Sequence, residues 1–160
     1  MIRILAAALA LASISAASAA AQTDDGPIIA QSPHSAVETI ERVEHIARAG
    51  GATIFARISH SDGAANVGVE LAPTELIIFG NPRMGAPVMA QSQLAGLELP
   101  IRMLAYEADG VTHLAYAAPT EMATRTGADP DSEAVQRMQA VVARIATRAI
   151  SEAPLDQPEE

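Results

Sequence analysis

The chain has 160 residues, is 49% hydrophobic and carries a formal net charge of −9 at pH 7, values that suit one core and one folded domain. All ten basic residues are arginine, and so acidic a surface repels nucleic acids and anionic lipids, so we expect no nucleic-acid partner. The absence of cysteine excludes disulfides, thiol catalysis and cysteine metal sites.

The first residues have the pattern of a secretory signal. Arg3 supplies a positive start, residues 4–14 are apolar, and the small residues at 17–21 fit a cleavage site. We therefore predict a cleavable signal peptide over residues 1–21, with export to the periplasm and no stable membrane anchoring afterwards. The alternative is an uncleaved N-terminal anchor. Residues 22–151 then form a single domain, and residues 152–160 a disordered acidic tail.

The first half of that domain contains a short strand at 28–32, a helix and a second strand. Ser35 and Glu38 match a capping box at the helix start, and Gly50-Gly51 ends the helix. Its predicted apolar face and its four-apart ion pairs are Val37, Ile40, Val43 and Ala47, with Glu38–Arg42 and Glu44–Arg48. Residues 53–59 alternate like a half-buried strand.

Residues 76–79 are an uninterrupted apolar run that predicts a strand buried on both faces. Gly80-Asn81-Pro82 then predicts a sharp turn at the end of that strand. Farther on, Asp109-Gly110 joins two strand-like runs, 101–107 and 111–117, and suits a type I′ hairpin turn. With that turn Met103 faces Tyr116 on the side that we expect to meet the helices.

The last helix has three start signals at 129–131, where an Asp cap, a proline and an acid follow one another. Apolar residues then recur along one face for about four turns, which predicts a long packed helix. That face comprises Val135, Met138, Val142, Ile145 and Ala149.

The sequence resembles the bacterial domain of unknown function 302 family. The similarity runs from about Ser35 to Gly127 and is carried by Ser-His at 59–60, Asp-Gly at 62–63, residues 69–74 and the Phe-Gly-Asn-Pro signature at 79–82. It implies an α+β domain of the TATA-box-binding-protein-like class, in which a curved antiparallel sheet has helices on one face in a β-α-β(4)-α arrangement. It also implies a possible homodimer, while the family name leaves the biochemical role open.

The turn after residue 79 is the predicted binding site, because polar loops that end buried strands often carry function. We expect His60, Asn81, Arg83 and Gly85 to meet at a small polar pocket for an anionic or amphipathic ligand. For Arg83 the alternative is an ion pair with one of the nineteen acids. For His60 the alternatives are hydrogen bonds that close a loop, or a role as a general base.

The sequence does not contain a complete copy of any of the catalytic motifs that we compared with it. The glycines at 80 and 85 have P-loop spacing, but Ala86-Pro87 replaces the Lys and Ser/Thr that would meet phosphate and magnesium. No nucleophile elbow or His-Glu-x-x-His pair is present. We predict no catalytic residues and no cofactor. A weaker alternative is a Cu(I) site of His60, Met84 and Met89, joined by Met103 if the chain brings them together.

Three functions remain open. The first is a non-catalytic binding or interaction module with its pocket near the Phe-Gly-Asn-Pro turn. The second is a dimeric structural or stress-related protein without a ligand site. The third is an unrecognised enzyme that uses His60 as its base.

Overall fold

The computed structural model describes residues 26–155, so the predicted signal peptide and the end of the predicted tail lie outside it. Within these residues the elements, in chain order, are β1 (Ile28–Ser32), α1 (Ala36–Ala49), β2 (Thr53–Ser59), α2 (His60–Ala65), β3 (Thr74–Gly80), α3 (Pro82–Gln91), a 3₁₀ helix (Gln93–Leu97), β4 (Ile101–Ala108), β5 (Val111–Tyr116), α4 (Pro119–Thr126) and α5 (Glu133–Ala149).

The strands form one open antiparallel sheet in the order β1-β5-β4-β3-β2. Helix α1 packs on β3, β4 and β5, and α5 packs on α1, α3 and α4. This confirms the predicted α+β class with helices packed on an antiparallel sheet. The expected β-α-β(4)-α order is present as β1, α1, the four strands that follow and α5. Helices α2, α3 and α4 are inserted into this order.

The β4–β5 hairpin has the predicted register. Met103 pairs with Tyr116, and Tyr106 pairs with His113 on the opposite face. Asp109 and Gly110 have φ values of 53° and 75°, the left-handed conformation that a two-residue type I′ turn needs. Met103 is completely buried against the helices, so the more apolar face does meet them, as predicted.

Helix α1 begins as predicted, because the Ser35 side chain accepts a hydrogen bond from the Glu38 backbone N–H at 3.2 Å. Of the four residues predicted for its apolar face, Ile40, Val43 and Ala47 are buried as expected, and Val37 is 45% exposed. The expected Glu38–Arg42 pair is wrong, since Arg42 donates instead to carbonyls at and after the end of α5, including that of Ala149 at 2.8 Å. The last carbonyls of a helix lack partners within it, and a guanidinium satisfies several at once.

Two strand predictions need correction. A bulge between Ile54 and Ala56 breaks the simple alternation of β2, so Ile54 lies opposite Phe79 whereas Ala56 lies opposite Ile78 on the other face. Strand β3 is fully buried on one face only, because Leu76 and Ile78 remain half-buried. The half-burial in β3 has a simple cause, since the helices cover a single side of the sheet.

The start of α5 also differs from the prediction. The helix begins at Glu133 after Ser132, and the Asp129 side chain accepts from the backbone N–H of Asp131 at 2.9 Å instead of capping it. The predicted apolar stripe is correct, and all five of its residues are buried. Within residues 26–155, no helix combines the length and apolar character needed to cross a bilayer.

Candidate functional site

The predicted turn after β3 is the start of a helix. Asn81 has an extended backbone, and its side-chain Oδ1 accepts from the Arg83 backbone N–H at 2.9 Å, while Pro82 occupies the first helical position. The Asn81 Nδ2 donates to the carbonyl of Gly51 at 3.2 Å. Both polar ends of this side chain are therefore bonded within the chain, and Asn81 positions α3 against the α1–β2 connection.

Gly80, in the same signature, permits a close approach of two segments. A Cβ built at this position would lie 3.3 Å from the Cβ of Pro100 and 3.7 Å from the ring of Phe55. The first distance is tighter than ordinary van der Waals contact. A glycine here therefore lets the residues before β4 pack directly against the end of β3.

A cavity of about 330 Å³ adjoins this helix start. Its walls come from the end of α1, from β2 and β3, from α3, from the residues before β4, and from α5. Apolar side chains make up most of the lining, in contrast to the small polar pocket that the sequence led us to expect near this turn. The main apolar contributors are Ile46, Phe55, Phe79, Met84, Met89, Leu99, Pro100, Ile101, Met138, Val141, Val142 and Ile145.

Three methionines and one exposed aromatic ring stand out in this lining. Met84 and Met89 come from α3, and Met138 from α5. Methionine is unbranched and polarizable, so its side chain adapts to ligands of different shape. Phe55 is 58% exposed although it lines the cavity, which places an apolar ring where the cavity meets solvent.

One charged side chain, that of Arg144 on α5, belongs to the lining. No acidic residue of the described range 26–155 lines the cavity. Among residues 26–155 the Arg144 guanidinium has no hydrogen-bond or ion-pair partner, whereas most other arginines there have one. The cavity of this acidic protein therefore offers a cation that the described part of the chain leaves uncompensated.

The comparisons with known proteins agree with the sequence resemblance. Residues 28–145 match the family model described as domain of unknown function DUF302. The chain belongs to the DUF302 family. A crystal structure of an uncharacterized conserved DUF302 protein from Bacillus stearothermophilus has the same fold, with a TM-score of 0.69, 22% identity, and coverage of 77% of this chain and 97% of that one.

Curated relatives of this DUF302 chain have a different description. An 84-residue segment is 49% identical to proteins named fluoride-specific ion channel FluC 1 in Brucella suis biovar 1 and Brucella abortus biovar 1. The segment covers 52% of this chain but only 33% and 31% of those two relatives. The matched segment thus spans about a third of each of these longer proteins.

The DUF302 fold brings some of the predicted site residues together and separates others. Asn81 and Gly85 line the cavity. Arg83 lies between two lining residues, Pro82 and Met84, but its own side chain is exposed and is not part of the wall. Like Arg144, it has no side-chain hydrogen bond or ion pair among residues 26–155, so the predicted alternative of an ion pair is not seen there.

His60 lies at the other end of the β2–β3 pair. Strands β2 and β3 are antiparallel, with Thr53 opposite Gly80 and Ser59 opposite Glu75. His60 follows Ser59, so the length of a seven-residue strand, about 20 Å, separates it from the turn that holds Asn81. The expected convergence of His60 with Asn81 and Arg83 at one pocket is therefore wrong.

The same placement separates the predicted Cu(I) ligands. Met84 and Met89 share the cavity wall, but His60 is at the far end of the strands and Met103 is buried within β4. Over residues 26–155, no group of three or more His, Cys, Asp or Glu side chains is arranged to hold a metal ion. The DUF302 fold thus does not assemble the mixed imidazole and thioether set.

Sequence reasoning missed Arg144 as a site residue, although a signal was present. Residues on a helix contact those three and four positions away, and for Arg144 these are Ala140, Val141, Thr147 and Arg148. None of them is acidic, in contrast to Arg48, which pairs with Glu44 at 2.9 Å. When an arginine lies beside an apolar stripe and no acid lies three or four positions away, the sequence indicates a cation without an ion-pair partner on its own helix.

Proposed function

We propose that this chain is a non-catalytic binding module that takes a small, mainly apolar molecule into the cavity beside Asn81. The observation that carries the proposal is the cavity itself, about 330 Å³ with largely apolar walls. Ligand sites in proteins are typically concave, mostly apolar and about 300–1,000 Å³ in volume. This cavity lies at the lower end of that range, which favours a small ligand.

The arrangement of the walls supports a preformed site. Ala47 and Met138, from α1 and α5, are almost completely buried and hold one side of the cavity. On the other side, Val88 is completely buried and anchors α3 to the core. Met84 and Met89 on the same helix are only half-buried, so their side chains can adjust to a ligand without movement of the helix.

The chemistry of the lining favours binding over catalysis. A general acid or base must lie within hydrogen-bonding reach of the reacting group. Among residues 26–155 the cavity lining contains no His, Asp, Glu, Lys, Tyr, Ser or Thr side chain, and the Arg144 guanidinium offers hydrogen-bond donors but no acceptor. His60, the predicted base of the enzyme alternative, is about a strand length away.

A thermal-shift titration with 1-octanol tests this proposal. A molecule that binds only the folded state raises its stability, so we expect a saturable rise in melting temperature. Ala86→Leu fills space at the cavity lining and should abolish this rise. Ala90→Leu is the matched control, because Ala90 is also exposed on α3 but lies outside the lining. No saturable rise with the unmodified protein, or an equal loss in both variants, overturns the proposal.

The cavity does not suit the anion after which the fluoride-channel relatives are named. A small anion such as fluoride is strongly hydrated, and its transfer to apolar surroundings costs far more than one exposed guanidinium returns. The walls offer Arg144 and an Asn81 side chain that is already bonded on both sides. These walls suit a molecule with an apolar body.

A second candidate, a dimeric module, is favoured by the sheet face opposite α1. Ile29, Ile58 and Val111 on that face are 52%, 38% and 37% exposed. A second copy that covered this face would remove their apolar surface from water. Light scattering at micromolar concentration tests this candidate: a dimer supports it, particularly if Ile58→Glu dissociates the dimer, and a monomer contradicts it.

A further inference from the structure

We propose that the ligand is a single-chain amphiphile with a carboxylate end, whose aliphatic chain fills the cavity and whose carboxylate meets Arg144. The inference rests on the proposed function, because it names the class of molecule that the same cavity takes. Three observations carry it: the volume of the cavity, the uncompensated charge of Arg144, and the lack of any other lining side chain with a free polar group among residues 26–155.

The volume sets the length of the chain. A cavity of about 330 Å³ holds roughly ten non-hydrogen atoms if each takes about the 30 Å³ of a water molecule in the liquid. A straight saturated carboxylate of about eight carbons has that many atoms. Its methylene groups would contact Met84, Met89 and Leu99, and each buried methylene contributes about 0.8 kcal/mol.

The charge of Arg144 sets the chemistry of the end group. A guanidinium can hold a carboxylate by two parallel hydrogen bonds, which makes arginine well suited to recognise that group. Apart from Arg83, the other arginines among residues 26–155 already have partners: Arg42 binds carbonyls, for example, and Arg57 lies 3.5 Å from Glu44. Arg144 is left to bind an anion from outside the described part of the chain.

The remaining polar group of the lining does not compete for this end. Asn81 uses its Oδ1 for the Arg83 backbone N–H and its Nδ2 for the Gly51 carbonyl. A neutral hydroxyl end would therefore gain little beyond what the apolar walls provide. Arg83, at the start of α3, adds a second cation near the cavity and offsets the general negative charge of the protein for an approaching anion.

The test compares octanoate with 1-octanol, which has the same chain and no charge. Binding of each is measured by calorimetry with the unmodified protein, with Arg144→Gln and with Arg137→Gln. Arg137 is the matched control, since it is exposed on the same helix and lies 4.0 Å from Glu133. Arg144 has no bonding partner among residues 26–155, so the substitution should leave the fold and its melting temperature intact.

We expect octanoate to bind Arg144→Gln about tenfold more weakly, the effect of one hydrogen-bonded charge pair. Octanol should bind all three proteins alike, and added salt should weaken octanoate only. Octanoate binding that is unchanged in Arg144→Gln overturns the inference. Octanol binding without octanoate binding overturns it but leaves the proposed function standing, whereas binding of neither overturns both.

Discussion

A helix with a side-chain N-cap begins at each end of the β2–β3 pair, but the two helices differ in what they bury. At one end Asn81 caps α3, and at the other the Ser59 side chain accepts from the Asp62 backbone N–H at 3.2 Å and caps α2. Helix α3 buries Val88 and forms a wall of the cavity, whereas α2 buries none of its residues.

The difference teaches that a capped helix after a strand is not sufficient to make a cavity. The Asn81 end faces α1 and α5, whose side chains complete the walls of a partly open cavity. At the His60 end α2 contacts β3, but among residues 26–155 no second helix completes a wall there, and His60 is exposed. Packing by elements distant in sequence is what separates the two ends, and variants at matched positions can test that conclusion.

The largest expected effect is at the end of β3 that meets the cavity. Phe79 is 3% exposed, so Phe79→Ala should lower the free energy of unfolding by about 3–5 kcal/mol. Leu76→Ala, toward the other end of the same strand, should cost clearly less because Leu76 is only half-buried. Urea unfolding measures both. Equal losses would show that the two ends are equally packed.

Removal of the two helix caps comes next. Asn81→Ala should cost about 1–2 kcal/mol, since it deletes the cap and the bond to Gly51, and Ser59→Ala about 0.5 kcal/mol. Asn81→Asp keeps a capping oxygen and loses only the donor to the Gly51 carbonyl, so its loss should be intermediate. A larger loss for Ser59→Ala than for Asn81→Ala would contradict the comparison.

Substitution of one helical glycine at each end compares the two ends by a gain in stability instead of a loss. A Cβ at Gly85 would make ordinary contact with Leu99 at 3.6 Å, so Gly85→Ala should raise stability by about 0.5–1 kcal/mol. Gly63 in α2 has open space around it, but that helix buries nothing and can fray on its own. Gly63→Ala should therefore give the smaller rise in melting temperature, and a destabilised Gly85→Ala protein would show that α3 has no room for the methyl group.

The smallest effect is expected for His60→Ala. His60 is exposed and about 20 Å from the cavity end of the strands, so stability should change by no more than about 0.5 kcal/mol. Octanol affinity should not change. If the substitution weakened binding, the two ends of the β2–β3 pair would have to be coupled, and the enzyme or ligand role predicted for His60 would regain support.

Several features of the fold could be read from short stretches of sequence. Asp109-Gly110 predicted the hairpin and its register, because few residues adopt two successive left-handed conformations. Ser35 predicted the start of α1, and the apolar spacing from Val135 predicted the buried face of α5. The family signature at 79–82 located the cavity, although its polar residues serve to begin a helix.

Other features depended on the assembled chain. The hydrogen bonds of Arg42 to the end of α5 follow from the packing of two helices that are distant in sequence, and the residues around Ile54 give no sign of the bulge there. The same holds for the separation of His60 from Asn81. For Arg42 and for His60 the local sequence also allowed another arrangement. Contacts between elements distant in sequence decided which arrangement forms.

The sequence by itself determined the elements whose signals act over a few residues: the cap of α1, the hairpin turn and the amphipathic faces of α1 and α5. Only the tertiary structure decided that Ile46, Met84 and Met138 line one cavity and that Arg144 lies at its wall. The physical reason is the distance along the chain over which each kind of interaction acts. Backbone preferences and hydrogen bonds at helix ends couple residues three or four positions apart, whereas a cavity is the space left between segments separated by dozens of residues.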